Sequence, residues 1–143
     1  MASVEYFGKY KAKVVDLNDP EKRGRIRVQC PKVLGDSKSS WCEPCIPVAY
    51  EKGGDFCLPK LGDTVWVEFE EGDANQPIWV GNWWSSDNTP LSSYGNAPKT
   101  RIIEFDGARL TMSGGALTIS AGGGTIEMKN GVINIVSGRV NIN

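Results

Sequence analysis

The last third of this chain is written in short apolar pairs separated by glycine, and few folds can accommodate that pattern. Apolar residues two apart recur as Leu110/Met112, Leu117/Ile119, Ile126/Met128, Ile133/Ile135 and Val140/Ile142, with first members 7, 9, 7 and 7 residues apart. Gly114-Gly115, Gly122 to Gly124, Gly131 and Gly138 fill most of the gaps, and no proline falls between 101 and 143. A period of two makes each pair one face of a short strand, and glycine makes each gap a tight turn. Thr111, Thr118, Ser120, Asn134 and Asn141 take the opposite face. Such a repeat cannot bury its apolar face alone and needs neighbours to stack on. In a monomer these strands make a thin, sticky sheet. Three copies wrapped round one axis bury the apolar residues and close the edges. The repeat therefore predicts a trimeric β-stalk over 101–143 whose core is those ten apolar residues; an ordinary meander packed on the rest of the chain is the alternative.

The preceding residues follow a different grammar. Residues 1–84 hold all five tryptophans and all four cysteines. Five alternating runs stand out: Tyr10–Val15, Arg25–Cys30, Trp41–Pro47, Thr64–Glu70 and Pro77–Trp83. Ile26 and Val28 oppose Arg25 and Arg27, while Val65, Val67 and Phe69 oppose Trp66, Glu68 and Glu70, as in half-buried strands. Asn18-Asp19-Pro20, Gly53-Gly54 and Gly72-Asp73 supply turn chemistry. Five strands in about eighty residues fit a small closed barrel, of which the OB fold is the commonest. Ser85 to Pro98, rich in Ser, Asn, Pro and Gly, reads as a linker. The expected fold is thus all-β: a five-stranded OB barrel over 1–84, a linker over 85–100, and an intertwined trimeric β-helix or prism stalk over 101–143.

Composition narrows the function. A net charge of −1, from 16 basic and 17 acidic residues, argues against a dedicated nucleic-acid or anionic-membrane binder. Histidine is absent, which removes the commonest general base and metal ligand. No apolar run reaches membrane-spanning length, and Met1 to Tyr10 lacks the order of a signal peptide, so synthesis in the cytoplasm is expected. Cys42-Glu43-Pro44-Cys45 is a CxxC flanked by Cys30 and Cys57. Four thiolates suffice for tetrahedral zinc, but a structural site usually presents two such knuckles on turns, so buried thiols are favoured over zinc or a disulfide. Glu68 and Glu70 share a strand face and could mimic an acid/base pair; a solvated edge or a subunit contact is the simpler account, also for Glu71 and Asp73. No glycine-rich loop opens a helix. No enzyme and no cofactor are expected. The principal alternative is a nucleic-acid-binding OB module, with Trp66, Trp79, Trp83 and Trp84 stacking bases and Lys9, Lys11, Lys13, Arg23, Arg25 and Arg27 following the backbone. The acidic residues on the same strands oppose it.

The run from Leu58-Pro59-Lys60-Leu61-Gly62-Asp63-Thr64-Val65-Trp66-Val67-Glu68-Phe69 through Glu70-Glu71-Gly72-Asp73 to Gln76-Pro77-Ile78-Trp79-Val80-Gly81-Asn82-Trp83 is distinctive. It resembles the fourth and fifth strands of the OB domain in the spike family shared by contractile phage tails, R-type bacteriocins and the VgrG proteins of type VI secretion. Arg23-Gly24-Arg25-Ile26-Arg27-Val28 resembles that family's second strand, Trp41 the opening of its third, and Lys99 to Asp106 the passage from barrel to stalk. The resemblance implies a structural, membrane-piercing homotrimer at the centre of a baseplate. Its partners would be a hub protein, the tail tube, a possible tip-cap protein and, transiently, the target envelope, with no nucleic acid. It also implies synthesis in the bacterial cytoplasm and assembly into a virion or phage-tail-like particle. With so short a linker, no fused lysozyme or toxin domain is expected between barrel and stalk, and the hub is expected on another chain.

Overall fold

A computed structural model describes residues 4–88 and 98–141; positions 89–97, which include most of the expected linker, lie outside the described residues, as do Ile142 and Asn143. The chain divides into two compact units, Met1–Asn88 and Thr89–Asn143.

The first unit is built from β1 (Tyr10–Asp16), β2 (Arg27–Gln29), β3 (Glu43–Pro44), β6 (Thr64–Phe69) and β7 (Pro77–Asn82), hydrogen-bonded in the order β2-β1-β6-β7-β3. β3 runs parallel to β7 through Glu43↔Ile78 and Pro44↔Trp79. The ring closes where Ile26 and Cys42 exchange backbone hydrogen bonds of 3.3 and 2.8 Å. An antiparallel circuit with one parallel pair at the seam is the OB barrel the alternating runs predict. Alternation fills it: Ala12 and Val14 from β1, Val28 from β2, Val65, Val67 and Phe69 from β6 and Trp79 from β7 point inward, joined by Ile26, Cys30 and Cys42.

Three local readings need correction. The third strand shrinks from Trp41–Pro47 to two residues, because Pro44 and Pro47 have no N–H to give a ladder. A short helix α1 (Pro31–Leu34) interrupts the path from β2 to β3, with Pro31 in its first turn, where a missing N–H costs nothing. Gly53-Gly54 is not a turn but the small strand β5 (Gly53–Gly54), paired with β4 (Ala49–Tyr50) around a turn at Glu51-Lys52. Glycine is required at Gly54, where φ is +142° and a Cβ would sit 2.5 Å from the Val48 carbonyl oxygen.

The second unit is an antiparallel meander of β8 (Thr100–Phe105), β9 (Ala108–Ser113), β10 (Ala116–Ala121), β11 (Gly124–Lys129) and β12 (Val132–Val136), each strand beside the next. Two-residue turns join all five. Asp106-Gly107, Gly114-Gly115, Gly122-Gly123 and Asn130-Gly131 all have positive φ at both positions, between 50° and 83°. That is the type I′ pattern, whose twist matches the strands it joins and which only Gly, Asn and Asp enter easily. Five strands form, though not quite the expected five. Lys99 to Asp106, expected as a passage between units, supplies β8, whereas Val140 lies in no strand. The reason is the turn before it: neither Ser137 nor Gly138 has positive φ, and the Ser137 hydroxyl instead bonds the Arg139 backbone.

Candidate functional site

The meander's register sorts its side chains into rows. Ile103↔Leu110, Leu110↔Ile119, Ile119↔Ile126 and Ile126↔Ile135 are direct cross-strand partners, so one apolar row crosses all five strands. Beside it runs Met112↔Leu117, Leu117↔Met128 and Met128↔Ile133, with Arg101 opposite Met112 at its β8 end. Eight of the ten residues expected in a stalk core thus lie on one face in two rows. Val140 is off the sheet, and Ile142 is outside the described residues. The register adds Ile103, which has its own signal: it precedes Leu110 by one seven-residue repeat across Asp106-Gly107, a strong hairpin pair.

This face is open within the single chain. Of the eight, Met112, Ile119, Ile126, Met128, Ile133 and Ile135 are 37% to 64% exposed, whereas Leu110 and Leu117 are half-buried, as are Thr111, Thr118, Thr125 and Glu127 on the opposite face. Exposure on this face is greatest on β12, at Ile133 and Ile135. A contiguous apolar surface of this kind marks an interaction face.

On the barrel, the residues proposed to grip nucleic acid are dispersed or already engaged. Trp79 is a core residue, its Nε1 directed to the Gly24 carbonyl at 3.4 Å, so no base can reach its face. Trp66 and Trp83 pack on each other with centroids 6.0 Å apart, and the Lys11 ammonium sits 4.0 Å from the Trp83 ring centre. Trp84 alone of the four is largely exposed. Lys9 pairs with Glu68, and Arg23 with Glu21 and Glu43. Arg25, expected on the outer face, is buried: its Nε and Nη2 donate to Asp19 Oδ1 at 3.1 and 2.7 Å. Asp19 also accepts the backbone N–H groups of Glu21, Arg23 and Arg25, tying down the loop before β2. The Arg25 guanidinium, aided by those N–H groups, holds the Asp19 carboxyl far below the usual carboxylate range.

The carboxylates do not assemble an acid/base pair. Glu68 faces Lys9, whereas Glu70 leaves the strand to open a 3₁₀ turn (Glu70–Gly72). Asp73 caps the next turn, its carboxyl held low by the Asn75 backbone N–H and the Gln76 side chain. The four cysteines separate in the same way. Cys30 and Cys42 are buried in the barrel, and Cys45 and Cys57 are exposed. Burial raises the Cys42 thiol to about 11, partly offset by the Ser39 hydroxyl 3.5 Å away, and burial also raises Cys30. Among the described residues, no three His, Cys, Asp or Glu side chains converge as metal ligands would.

Comparison with known proteins places the barrel directly. Residues 10–84 match the family model of the type VI secretion system/phage-baseplate injector OB domain. Over 74 residues, 49% of this chain, it is 32% identical to the actin cross-linking toxin VgrG1 of Vibrio cholerae serotype O1, and the match covers 7% of that protein's length. The match ends at residue 84, within the first compact unit, so the meander stands outside it. The barrel circuit, its alternating core and the matched span agree: the chain belongs to the type VI secretion system/phage-baseplate injector OB-domain family, whose role in a phage or secretion particle is structural.

Proposed function

We propose that the chain is the central spike of a contractile injection machine: a homotrimer whose OB barrels seat on a baseplate hub and tail tube, and whose meanders form a membrane-breaching stalk. The observation that carries this is the pair of apolar rows, which leave Met112, Ile119, Ile126, Met128, Ile133 and Ile135 open to solvent in one chain. Three such sheets facing one axis would bury Leu110, Met112, Leu117, Ile119, Ile126, Met128, Ile133 and Ile135 together. Their outer faces would then present Thr111, Thr118, Glu127 and Asn134, with Val132 and Val136 on β12 as apolar exceptions.

A spike of this kind needs stiffness more than chemistry. In-register strands and two-residue turns leave few backbone groups unpaired, so axial load meets no loose loop. Five strands at roughly 4.8 Å apart make a sheet about 20–25 Å across. That falls short of the ~40–45 Å of a bilayer with headgroups, so the stalk opens the breach and the tube behind completes it. Mass in solution tests the assembly: light scattering is expected to give about three times the chain's 15.6 kDa, and a monomer at micromolar concentration overturns it. The nucleic-acid alternative gains nothing from a barrel whose basic residues largely face its own carboxylates and tryptophans.

A further inference from the structure

Trp41 lies beside two arginines that the barrel uses very differently. The closure at Ile26 and Cys42 sets Arg25 near Glu43 and Arg27 near Trp41, on the outer side of the seam. The Arg25 guanidinium is 5.8 Å from the Trp41 ring centre and that of Arg27 is 5.4 Å from it. Arg25 is buried and fully engaged: Asp19 accepts from its Nε and Nη2, Glu21 lies 3.0 Å from Nη2, and Glu43 lies 4.0 Å from Nη1. Arg27 is half-buried and gives one hydrogen bond, from Nε to the Ser39 carbonyl oxygen at 2.8 Å. Among the described residues it has no ion pair, and its two Nη groups bond to nothing. Asp16 stands opposite it on β1, but the Asp16 carboxylate accepts the Asn18 backbone N–H. The Trp41 Nε1–H is likewise without a partner among the described residues and, unlike that of Trp83, is not sealed from solvent.

The tryptophan ring and the Nε bond together hold the Arg27 guanidinium in place while its Nη donors stay unspent. Much of the rotamer freedom that an arginine loses on binding has therefore already been lost on folding. A planar fork of donors matches the two oxygens of a carboxylate. Arginine beside tryptophan is also the combination in which interfaces concentrate their binding energy. The neighbouring charges select among anions. Asp16, Asp19, Glu21 and Glu43 outnumber Arg23, Arg25 and Arg27 by four to three, so a polyanionic backbone or a lipid phosphate surface is repelled. A single carboxylate meets the fork at contact distance, with those acids farther off and mostly answered by their own arginines. We infer that Arg27 and Trp41 are a docking point for an acidic side chain of a partner protein, gripped by the two Arg27 Nη groups beside the Trp41 indole N–H. The inference concerns the barrel alone and stands apart from the trimer and the stalk.

The probe is glutamate blocked at both ends, N-acetyl-glutamate N-methylamide, titrated into the isotope-labelled full chain at constant ionic strength. Its glutamine counterpart and inorganic phosphate are titrated in parallel. Nuclear magnetic resonance reads the Arg27 Nε–H and the Trp41 indole N–H, the latter picked out from the five tryptophans by its loss in Trp41→Phe. The expected result is a saturable shift of both signals with the glutamate probe and none with the glutamine one. Arg27→Lys, which keeps the charge but loses the fork, should bind the probe about tenfold more weakly. No shift, an equal shift with the glutamine probe, or undiminished binding by Arg27→Lys overturns the inference. Tighter binding of phosphate than of the glutamate probe overturns it in favour of a phosphate site. A shift of the Trp41 signal with protein concentration alone makes a second copy the occupant and overturns the assignment to another protein. The titration of the parent chain decides by itself, so a variant that fails to fold does not weaken the test. None of these outcomes bears on the trimer, which mass in solution tests separately.

Discussion

Placing one carboxylate in the middle of the apolar rows should separate what the chain does alone from what it does in company. Ile126 lies on β11, flanked by Ile119 and Ile135, and is 39% exposed in the single chain. About two-fifths of the ~1.5–3 kcal/mol that a fully buried isoleucine contributes, roughly 1 kcal/mol per copy, is thus still to be gained on assembly. In Ile126→Asp that gain disappears, and three carboxylates are brought together without partners, at a cost on the order of several kcal/mol per ion. Summed over three copies, the penalty is comparable with the whole stability of a small assembly. Within one chain the carboxylate keeps access to water, and the loss is about 1–2 kcal/mol of the burial already made there, with about 1 kcal/mol of strand propensity. The register also selects the control. Thr118 stands opposite Glu127, so Thr118→Asp would add a like-charge pair, whereas Thr111→Asp on the same polar face faces Ile102 and Thr118. Light scattering at micromolar concentration should show Ile126→Asp as a monomer with its barrel intact by tryptophan fluorescence, and Thr111→Asp as a trimer. Equal behaviour of the two variants would refute the assignment of the inward face.

Three other changes probe separate parts of the molecule. Because its native pKa is depressed, Asp19 adds stability at neutral pH that is present above its unfolded value near 3.9 and lost as pH falls below it. Thermal unfolding of the barrel should therefore weaken more steeply between pH 5 and about 2 in the parent than in Asp19→Asn, which should be less stable at pH 7. A thiol reagent at pH 7.5 should titrate two cysteines in the native chain, Cys45 and Cys57, and all four after denaturation; rapid reaction of Cys42 would contradict its burial and raised pKa. Gly123→Val should cost about 1–2 kcal/mol, because φ is +83° there, and the loss is purely of backbone origin since a Cβ at Gly123 would meet nothing within 4 Å.

What the sequence disclosed depended on whether neighbours or distant contacts set the conformation. β1, β6 and β7 could be bounded to within a residue, because alternation over six or seven positions leaves one way to face a core. The apolar rows were legible for the same reason, and Asp106-Gly107 and Asn130-Gly131 fix their register locally. β3 was overdrawn, since only its pairing with β7 shows that two residues suffice to close the barrel. The Arg25–Asp19 contact was invisible: Arg25 sits where alternation sends a residue to solvent, and the loop that covers it is anchored by Asp19 from six positions away. Cys42 and Cys45 looked like a pair because their spacing is suggestive. The fold sends one into the barrel and leaves the other outside, which spacing alone cannot reveal.

Two-residue turns also make length a discrete variable. With no spare residue in any of the four, the sheet lengthens or shortens only by whole strands, each shifting its far end by about 4.8 Å. Each added strand also reverses the side from which the chain leaves, so an odd count such as five delivers it to the opposite flank from an even one. A lineage that needed a longer reach could duplicate a glycine-bounded unit of about seven to nine residues without redesigning anything else, provided the parity suited whatever follows. The repeat is in this sense a ruler with fixed graduations, and insertions of any other size should be rare in it.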